Sequence, residues 1–279
     1  MRKLRWSAAP FARMALVLSL LAALPPAATA RDSGGASAPS TNPITLKVRT
    51  SRGQHDLLLY APSPRTTGSA AREKPLVLLL SGEGGWRTFD RLLADWLAEA
   101  GYFVGGVSAL DYFWEPQDDR ALLAADFRAY AAALAAAAGR PAGAPLVFAG
   151  FSFGADLAPW IAGAGGWDGR VRGLLMIGPD RTGSLSFRFS EILGFDPKDH
   201  VFSVAEALRS ASGLPVAFIH GEEDTDSYAP ELAKQQDASG RIITVPKAGH
   251  HFSGHERELR DALLQGLGWI EAGGAAPGR

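Results

Sequence analysis

The sequence contains no cysteine, which excludes a disulfide framework and a lipid anchor at a cysteine behind a cleaved leader. It also lacks a long apolar segment, because the run Met14 to Leu24 falls short of the ~20 residues that span a bilayer. Charge of one sign does not dominate, since 28 Lys and Arg stand against 29 Asp and Glu. No polybasic surface for nucleic acid is therefore predicted.

Cofactor motifs are missing as well. The chain has neither a Gly-Lys-Ser/Thr phosphate loop nor G-x-G-x-x-G, and no His, Asp or Glu spacing typical of a metal site. We therefore predict no organic cofactor and no metal.

The first residues have the pattern of a secretory signal. A basic start from Arg2 to Arg13 precedes the apolar run, and Ala28-Thr29-Ala30 provides an A-x-A cleavage site. The chain is therefore predicted to be exported. The predicted organisation is a signal peptide at 1–30, a flexible linker at 31–42, one domain at 43–273 and a short tail at 274–279.

The remaining pattern predicts an α/β-hydrolase fold. Ile44 to Thr50 and Gln54 to Tyr60 flank Ser51-Arg52-Gly53 and read as an antiparallel hairpin. Beyond residue 74, apolar strands without alternation each precede a helical pattern, which predicts a mostly parallel sheet with helices on both faces. The predicted strands there are Pro75–Leu80, Tyr102–Val107, Leu146–Ala149, Val171–Ile177, Leu214–Ile219 and Arg241–Val245. The predicted helices are Thr88–Ala100, Asp118–Ala138, Ala155–Ala164, Val201–Ser210, Ala229–Ala238 and Glu256–Ile270.

The strand ending at residue 149 runs into Gly150-Phe151-Ser152-Phe153-Gly154 and then into a helix. Strand, G-x-S-x-G and helix in this order are what a nucleophile elbow needs, with the serine hydroxyl raised above the sheet. G-x-S-x-G alone is a weak signal in a chain with 32 glycines. The prediction that Ser152 is a nucleophile therefore depends on finding an acid and a base in the right places.

In this fold the acid and then the histidine follow the serine, each after a late strand. Asp224 lies in the acidic loop after Ile219, where Glu223 and Asp226 are alternative acids. His250, in Gly249-His250-His251-Phe252, is the predicted base, with His251 as the alternative. The histidine would deprotonate the serine while the carboxylate orients the imidazole.

An ester hydrolase also needs backbone N–H donors for the oxyanion of its tetrahedral intermediate. One is expected from Phe153, the residue after the nucleophile. The other is expected from the loop Ser81-Gly82-Glu83-Gly84-Gly85-Trp86, from Glu83 or alternatively Gly84.

These motifs, together with Asp111-Tyr112-Phe113-Trp114 and Gly221-Glu222-Glu223-Asp224, resemble the VirJ/AcvB virulence-associated family of periplasmic α/β-hydrolases across nearly all of residues 43–270. The resemblance implies a periplasmic enzyme that hydrolyses the aminoacyl ester of lysyl-phosphatidylglycerol or related lipids. It also implies a link to type IV secretion for some members. Many members have Asp where this chain has Glu83, so substrate preference could differ.

An aminoacyl lipid carries ammonium groups, so we expect a carboxylate at its binding site. Asp156, one helical turn after Ser152, or Glu83 is the predicted partner, although Asp156 could instead brace the elbow helix. The aromatic residues in the loops beyond strand ends either line a pocket or belong to the core; they are Trp86, Tyr112, Phe113 and Trp114. Residues 181–199, rich in Phe, Ile and Leu, are predicted to form a small cap that touches the membrane surface, or a plain packed insertion.

Two further functions stay open at this stage. The scaffold could serve as a non-catalytic periplasmic adaptor for secretion-system proteins. It could also be an esterase or thioesterase for another substrate, since one fold hosts many reactions.

Overall fold

The computed structural model describes residues 42–62, 74–187, 199–236 and 239–274. The predicted signal peptide, nearly all of the predicted linker and residues 275–279 of the predicted tail lie outside these ranges. Most of the predicted cap, residues 188–198, also lies outside them.

The chain opens with the predicted antiparallel hairpin. Strand β1 (Ile44–Thr50) pairs with β2 (Gly53–Tyr60), with Ile44 opposite Leu59. Gly53 closes the turn with φ 113°, a backbone conformation that favours glycine. Because β2 pairs antiparallel with β4, the tip of this hairpin lies at the carboxyl edge of the parallel strands.

A parallel sheet follows, as the continuous apolar runs predicted. Its strands are β3 (Leu76–Leu80), β4 (Val104–Val107), β5 (Leu146–Phe151), β6 (Val171–Ile177), β9 (Val216–Gly221) and β10 (Gly240–Val245). Within the described residues the order across the sheet is β1-β2-β4-β3-β5-β6-β9-β10. The crossover between β3 and β4 leaves β5 near the middle of the sheet.

Helices cover both faces of the sheet. They are α1 (Thr88–Glu99), α2 (Ala109–Tyr112), α3 (Arg120–Ala137), α4 (Phe153–Ala162), α5 (Val204–Ser210), α6 (Ala229–Lys234) and α7 (Glu256–Glu271). Alternate side chains of each strand point to opposite faces, so Leu78 joins the cluster with α3 and α4, while Leu79 joins the cluster with α1 and α7. The α/β-hydrolase fold predicted from the sequence is confirmed.

Two predictions about the segments between strands are wrong. The helix expected from Val201 begins only at Val204, because residues Val201–Ser203 form β8, which pairs antiparallel with β7 (Thr182–Ser184). Short helix α2 stands where a loop was expected after β4. Other element boundaries differ from the predicted ones by a few residues.

Candidate active site

Ser152 joins β5 to α4 in a turn that has no room for side chains on its flanking glycines. A Cβ at Gly150 would lie 2.2 Å from the carbonyl oxygen of Gly154, and a Cβ at Gly154 would lie 2.4 Å from that of Leu80. Ser152 has φ 50° and ψ −119°, a strained conformation for a residue with a side chain. Its N–H donates to the carbonyl of Ile177 at 2.8 Å. The turn therefore has the geometry that G-x-S-x-G predicts.

The structure brings together Asp224, after β9, and His250, after β10. His250 Nδ1 lies 2.8 Å from Asp224 Oδ2. The Asp224 side chain is 1% exposed, and its Oδ1 accepts hydrogen bonds from the backbone N–H groups of Asp226 and Ser227 at 3.1 Å each. The alternative acids Glu223 and Asp226 are exposed. Among the described residues, neither of their carboxylates bonds to a histidine.

Burial and hydrogen bonding shift the pKa values of Asp224 and His250 in opposite directions. Burial alone would raise the pKa of the Asp224 carboxyl, but the bonds it accepts, led by that from His250, hold the pKa below its usual value. Burial alone would lower the pKa of His250, but Asp224, followed by the charges of Asp226 and Glu83, raises it above 6.5. The carboxylate thus favours a proton on Nδ1, which leaves Nε2 as the unprotonated nitrogen of a neutral imidazole.

His251, the alternative base, differs in its surroundings. It is exposed, and in the described residues it has no carboxylate partner. Its ring centroid lies 5.4 Å from that of His250 and 5.9 Å from that of Phe151. Burial and the neighbouring His250 lower its pKa. Geometry therefore favours His250 for the role of base.

One turn joins the serine to the acid–base pair. The Ser152 N–H donates to the carbonyl of Ile177. Gly178, which follows Ile177, lies against the imidazole, because a Cβ there would be 3.1 Å from His250 Cε1 and 3.5 Å from Asp224 Oδ2. Nothing in the sequence pattern pointed to Gly178 except its place directly after a strand. Within the described part of the chain the Ser152 hydroxyl makes no hydrogen bond, so its bond to His250 stays a prediction; in the absence of substrate such bonds are often long.

The predicted oxyanion loop packs against the turn that carries Ser152, since a Cβ at Gly82 would lie 3.2 Å from the Phe151 ring. Asp90 Oδ1 accepts the Gly82 N–H at 3.3 Å, and Gly85 N–H closes the loop onto the Gly82 carbonyl at 3.1 Å. Glu83 and Gly84 are exposed. In the described residues, the N–H groups of Glu83, Gly84 and Phe153 form no hydrogen bond, so all three are available to an oxyanion.

Asp156 does not lie where a substrate ammonium could reach it, which corrects one of the two predicted partners. It is 4% exposed, and its Oδ1 accepts the Asp180 N–H at 2.8 Å. Burial, and to a lesser extent the charges of Asp180 and Glu83, raise its pKa well above the usual value. Asp156 is therefore an internal hydrogen-bond acceptor, whereas Glu83 is exposed to solvent.

Tyr112 is a core residue, so its predicted contact with substrate is wrong. Its side chain is 1% exposed, and the hydroxyl donates to Asp126 Oδ2 at 2.6 Å. Phe113 is also fully buried. The loop expected after β4 is short helix α2, which turns both rings into the core.

The two predicted tryptophans have different surroundings. Trp86 packs against β4, where a Cβ at Gly106 would come within 2.3 Å of the indole, and its Nε1 donates to the Tyr60 hydroxyl at 3.1 Å. Packing therefore accounts for Trp86. Trp114 is 63% exposed and stacks on Phe187 with 5.8 Å between ring centroids, so a contact with substrate remains open to it.

In the part of the chain that the structure describes, no helix is long and apolar enough to cross a membrane. The same ranges contain no group of three or more His, Asp or Glu side chains arranged to bind a metal ion.

The fold and the elbow at Ser152 define an α/β-hydrolase-fold protein, and solved structures agree. Est1E from Butyrivibrio proteoclasticus matches with a TM-score of 0.56 at 14% identity over 82% of this chain and 99% of its own. XC6422 from Xanthomonas campestris, described as a serine hydrolase without a lid, has a TM-score of 0.54 at 20% identity over 85% and 98%. A hyperthermophilic esterase from Pyrobaculum calidifontis has a TM-score of 0.59 at 19% identity over 82% of each chain.

Comparison with protein-family profiles assigns the chain to one family within this fold. The profile of the bacterial virulence protein family VirJ matches residues 74–269, so the chain belongs to the VirJ family, as its motifs predicted. The comparison with curated proteins finds no match.

Proposed function

We propose that this chain is a serine hydrolase of carboxylic esters with Ser152, His250 and Asp224 as its catalytic triad. The observation that carries the proposal is the 2.8 Å contact between His250 Nδ1 and a buried Asp224 carboxylate, at the sheet edge where the elbow holds Ser152. Solved esterases with the same fold support it.

In the proposed reaction, Ser152 Oγ attacks the ester carbonyl carbon while His250 Nε2 takes the hydroxyl proton. The oxyanion accepts hydrogen bonds from the backbone N–H groups of Phe153 and of Glu83 or Gly84. As the intermediate collapses, the imidazolium returns its proton to the leaving alkoxide, which departs as an alcohol. Water, deprotonated by the same imidazole, then attacks the acyl carbonyl carbon. The bond to Ser152 Oγ breaks, the imidazolium returns the proton to Oγ, and the acid is released.

We propose the aminoacyl ester of lysyl-phosphatidylglycerol or a related aminoacyl-phospholipid as the substrate. Membership of the VirJ family supports this, and so does the charge at the site. Glu83 is exposed in the oxyanion loop, close enough for its charge to act on both His250 and His251. With Asp156 buried, Glu83 is the proposed partner of the substrate ammonium.

We further propose that the chain acts in the periplasm after removal of residues 1–30. Arg2 to Arg13, the apolar run and Ala28-Thr29-Ala30 support export. Fractionation of cells that produce the full chain tests this, because a processed form should appear with periplasmic markers.

The function is tested by incubating the purified chain with vesicles of phosphatidylglycerol and lysyl-phosphatidylglycerol, followed by mass spectrometry of the extracted lipids. We expect lysine release and growth of the phosphatidylglycerol signal with wild type and none with Ser152→Ala. If wild type leaves lysyl-phosphatidylglycerol intact but hydrolyses a soluble ester, the lipid assignment fails. If it hydrolyses neither and a fluorophosphonate does not label Ser152, an adaptor role replaces the enzyme.

A further inference from the structure

Asp156 is a buried carboxyl for which the reaction above has no use. It lies one turn beyond Ser152 on α4, with its own N–H bonded to the Ser152 carbonyl at 3.1 Å. Its side chain reaches out of the helix to a different segment, because Oδ1 accepts the Asp180 N–H at 2.8 Å. The carboxyl therefore ties the helix that carries the nucleophile to the turn after β6.

That turn, residues 178–180, lies directly against the acid–base pair. Gly178 has φ 56°, and a Cβ added there would be 3.1 Å from His250 Cε1 and 3.5 Å from Asp224 Oδ2. The Pro179 carbonyl accepts the N–H of Tyr228, four residues beyond the acid, at 2.7 Å. A displacement of this turn would therefore move the surface on which the imidazole rests.

Three hydrogen bonds hold the turn, one to each of its three residues. The first, from Gly178 N–H to the Ile219 carbonyl at 2.9 Å, and the second, from Tyr228 to Pro179, connect the turn to β9 and its loop. The third bond, from Asp180 N–H to Asp156, connects the turn to α4, the helix that follows Ser152. Burial raises the pKa of Asp156 and so disfavours a negative charge at this position.

We propose that Asp156 is a positioning residue: by accepting the Asp180 N–H, it holds the 178–180 turn against His250 and Asp224, so that the imidazole faces Ser152. The inference rests on the proposed ester hydrolysis, since alignment matters only if the serine reacts. Asp156 does not touch the substrate and takes no part in proton transfer.

The test compares Asp156→Ala, which removes the acceptor, with Asp156→Asn, which keeps an acceptor oxygen in the same volume. Leu157→Ala is the matched control, because Leu157 is a fully buried residue of α4 with no polar bond to the turn. The readouts are kcat and KM for p-nitrophenyl acetate, the rate at which a fluorophosphonate labels Ser152, and Tm.

We expect Asp156→Ala to lower kcat and the labelling rate about 10- to 100-fold, because misplacement by an ångström costs about 10²-fold, with KM within twofold of wild type. Asp156→Asn should stay within threefold of wild type, and Leu157→Ala should lower Tm with little effect on kcat. If Asp156→Ala does not fold, Asp156→Ser, whose hydroxyl is too short to reach Asp180, replaces it.

Equal labelling of wild type and the acceptor-free variant would overturn the inference and leave the proposed function intact. A tenfold or larger loss in Asp156→Asn would overturn it as well, since the acceptor is then not what matters. An equal loss in Leu157→Ala at a matched drop in Tm would assign the effect to stability. Absence of labelling in wild type would overturn both the inference and the proposed function.

Discussion

Gly178→Ala should impair the site through a single methyl group. The alanine Cβ would lie 3.1 Å from His250 Cε1, whereas carbon atoms normally pack at about 3.5–4.0 Å. The imidazole must therefore retreat by about half an ångström. Because misplacement by an ångström costs about 10²-fold in rate, half of that predicts a loss of about tenfold in kcat.

The backbone conformation of Gly178 should make the alanine variant less stable, independently of the contact with His250. Gly178 has φ 56°, a left-handed conformation that costs about 1–2 kcal/mol for a residue with a Cβ. Gly139→Ala isolates this effect, because Gly139 has φ 64° and nothing lies within 4 Å of its Cβ position. Both variants should therefore lose a similar amount of stability, while only one loses activity.

The assay is hydrolysis of p-nitrophenyl acetate by both variants, with thermal unfolding measured on the same preparations. The reasoning is refuted if Gly178→Ala keeps the kcat of wild type, or if Gly139→Ala loses as much activity as Gly178→Ala. Either result would mean that the turn does not determine where the imidazole lies.

Further predictions concern charge and packing. As pH falls, kcat/KM should drop to half its maximum at a pH above 6.5, because the pKa of His250 is raised and the imidazole must be neutral to act as a base. A midpoint below pH 6.5 would contradict this. Glu83→Gln should raise KM for lysyl esters up to about fivefold, the factor that corresponds to an exposed ion pair of about 1 kcal/mol, and leave neutral esters unchanged. The pKa of Asp95 is raised to about 6, first by burial and then by a neighbouring carboxylate, so the folded state binds the extra proton and stability falls as pH rises towards 6. Asp95→Asn should therefore stabilise the protein at pH 8 by about 1–3 kcal/mol and much less at pH 4, as measured by urea unfolding. Tyr112→Phe, which removes the bond to buried Asp126, should cost about 1–2 kcal/mol without changing kcat, whereas a large rise in KM would restore its predicted contact with substrate.

The central strands of the sheet could be predicted because they are buried on both faces. Segments such as Leu76–Leu80 are apolar at every position and are buried at every position, so no other reading of them competes. The antiparallel hairpin was equally visible, since Ser51-Arg52-Gly53 interrupts two β-rich segments. The order of serine, acid and histidine along the chain then followed from the strand ends.

The β7–β8 pairing could not be predicted in the same way. Thr182–Ser184 reads Thr-Gly-Ser, which carries no apolar signal, and Val201–Ser203 is too short to show a period. These strands depend on each other and on α4 rather than on their own sequences. Tertiary contacts decided their structure over local propensity.

The burial of Asp156 could not be predicted from its spacing to Ser152. Its place one turn after Ser152 predicted proximity to the nucleophile, and the structure agrees. Spacing along a helix cannot say what covers that face, and here the turn after β6 covers it. The carboxyl is consequently an internal acceptor, whereas the Glu83 carboxylate in the predicted oxyanion loop is exposed.

The central claim is that Ser152 is an activated nucleophile, and covalent labelling tests it most directly. Purified chain is treated with a fluorophosphonate, digested, and analysed by peptide mass spectrometry, with His250→Ala and His251→Ala in parallel. The account predicts an adduct on Ser152 in wild type and in His251→Ala, and slower labelling by orders of magnitude in His250→Ala. An unlabelled serine in folded wild-type protein would contradict the account.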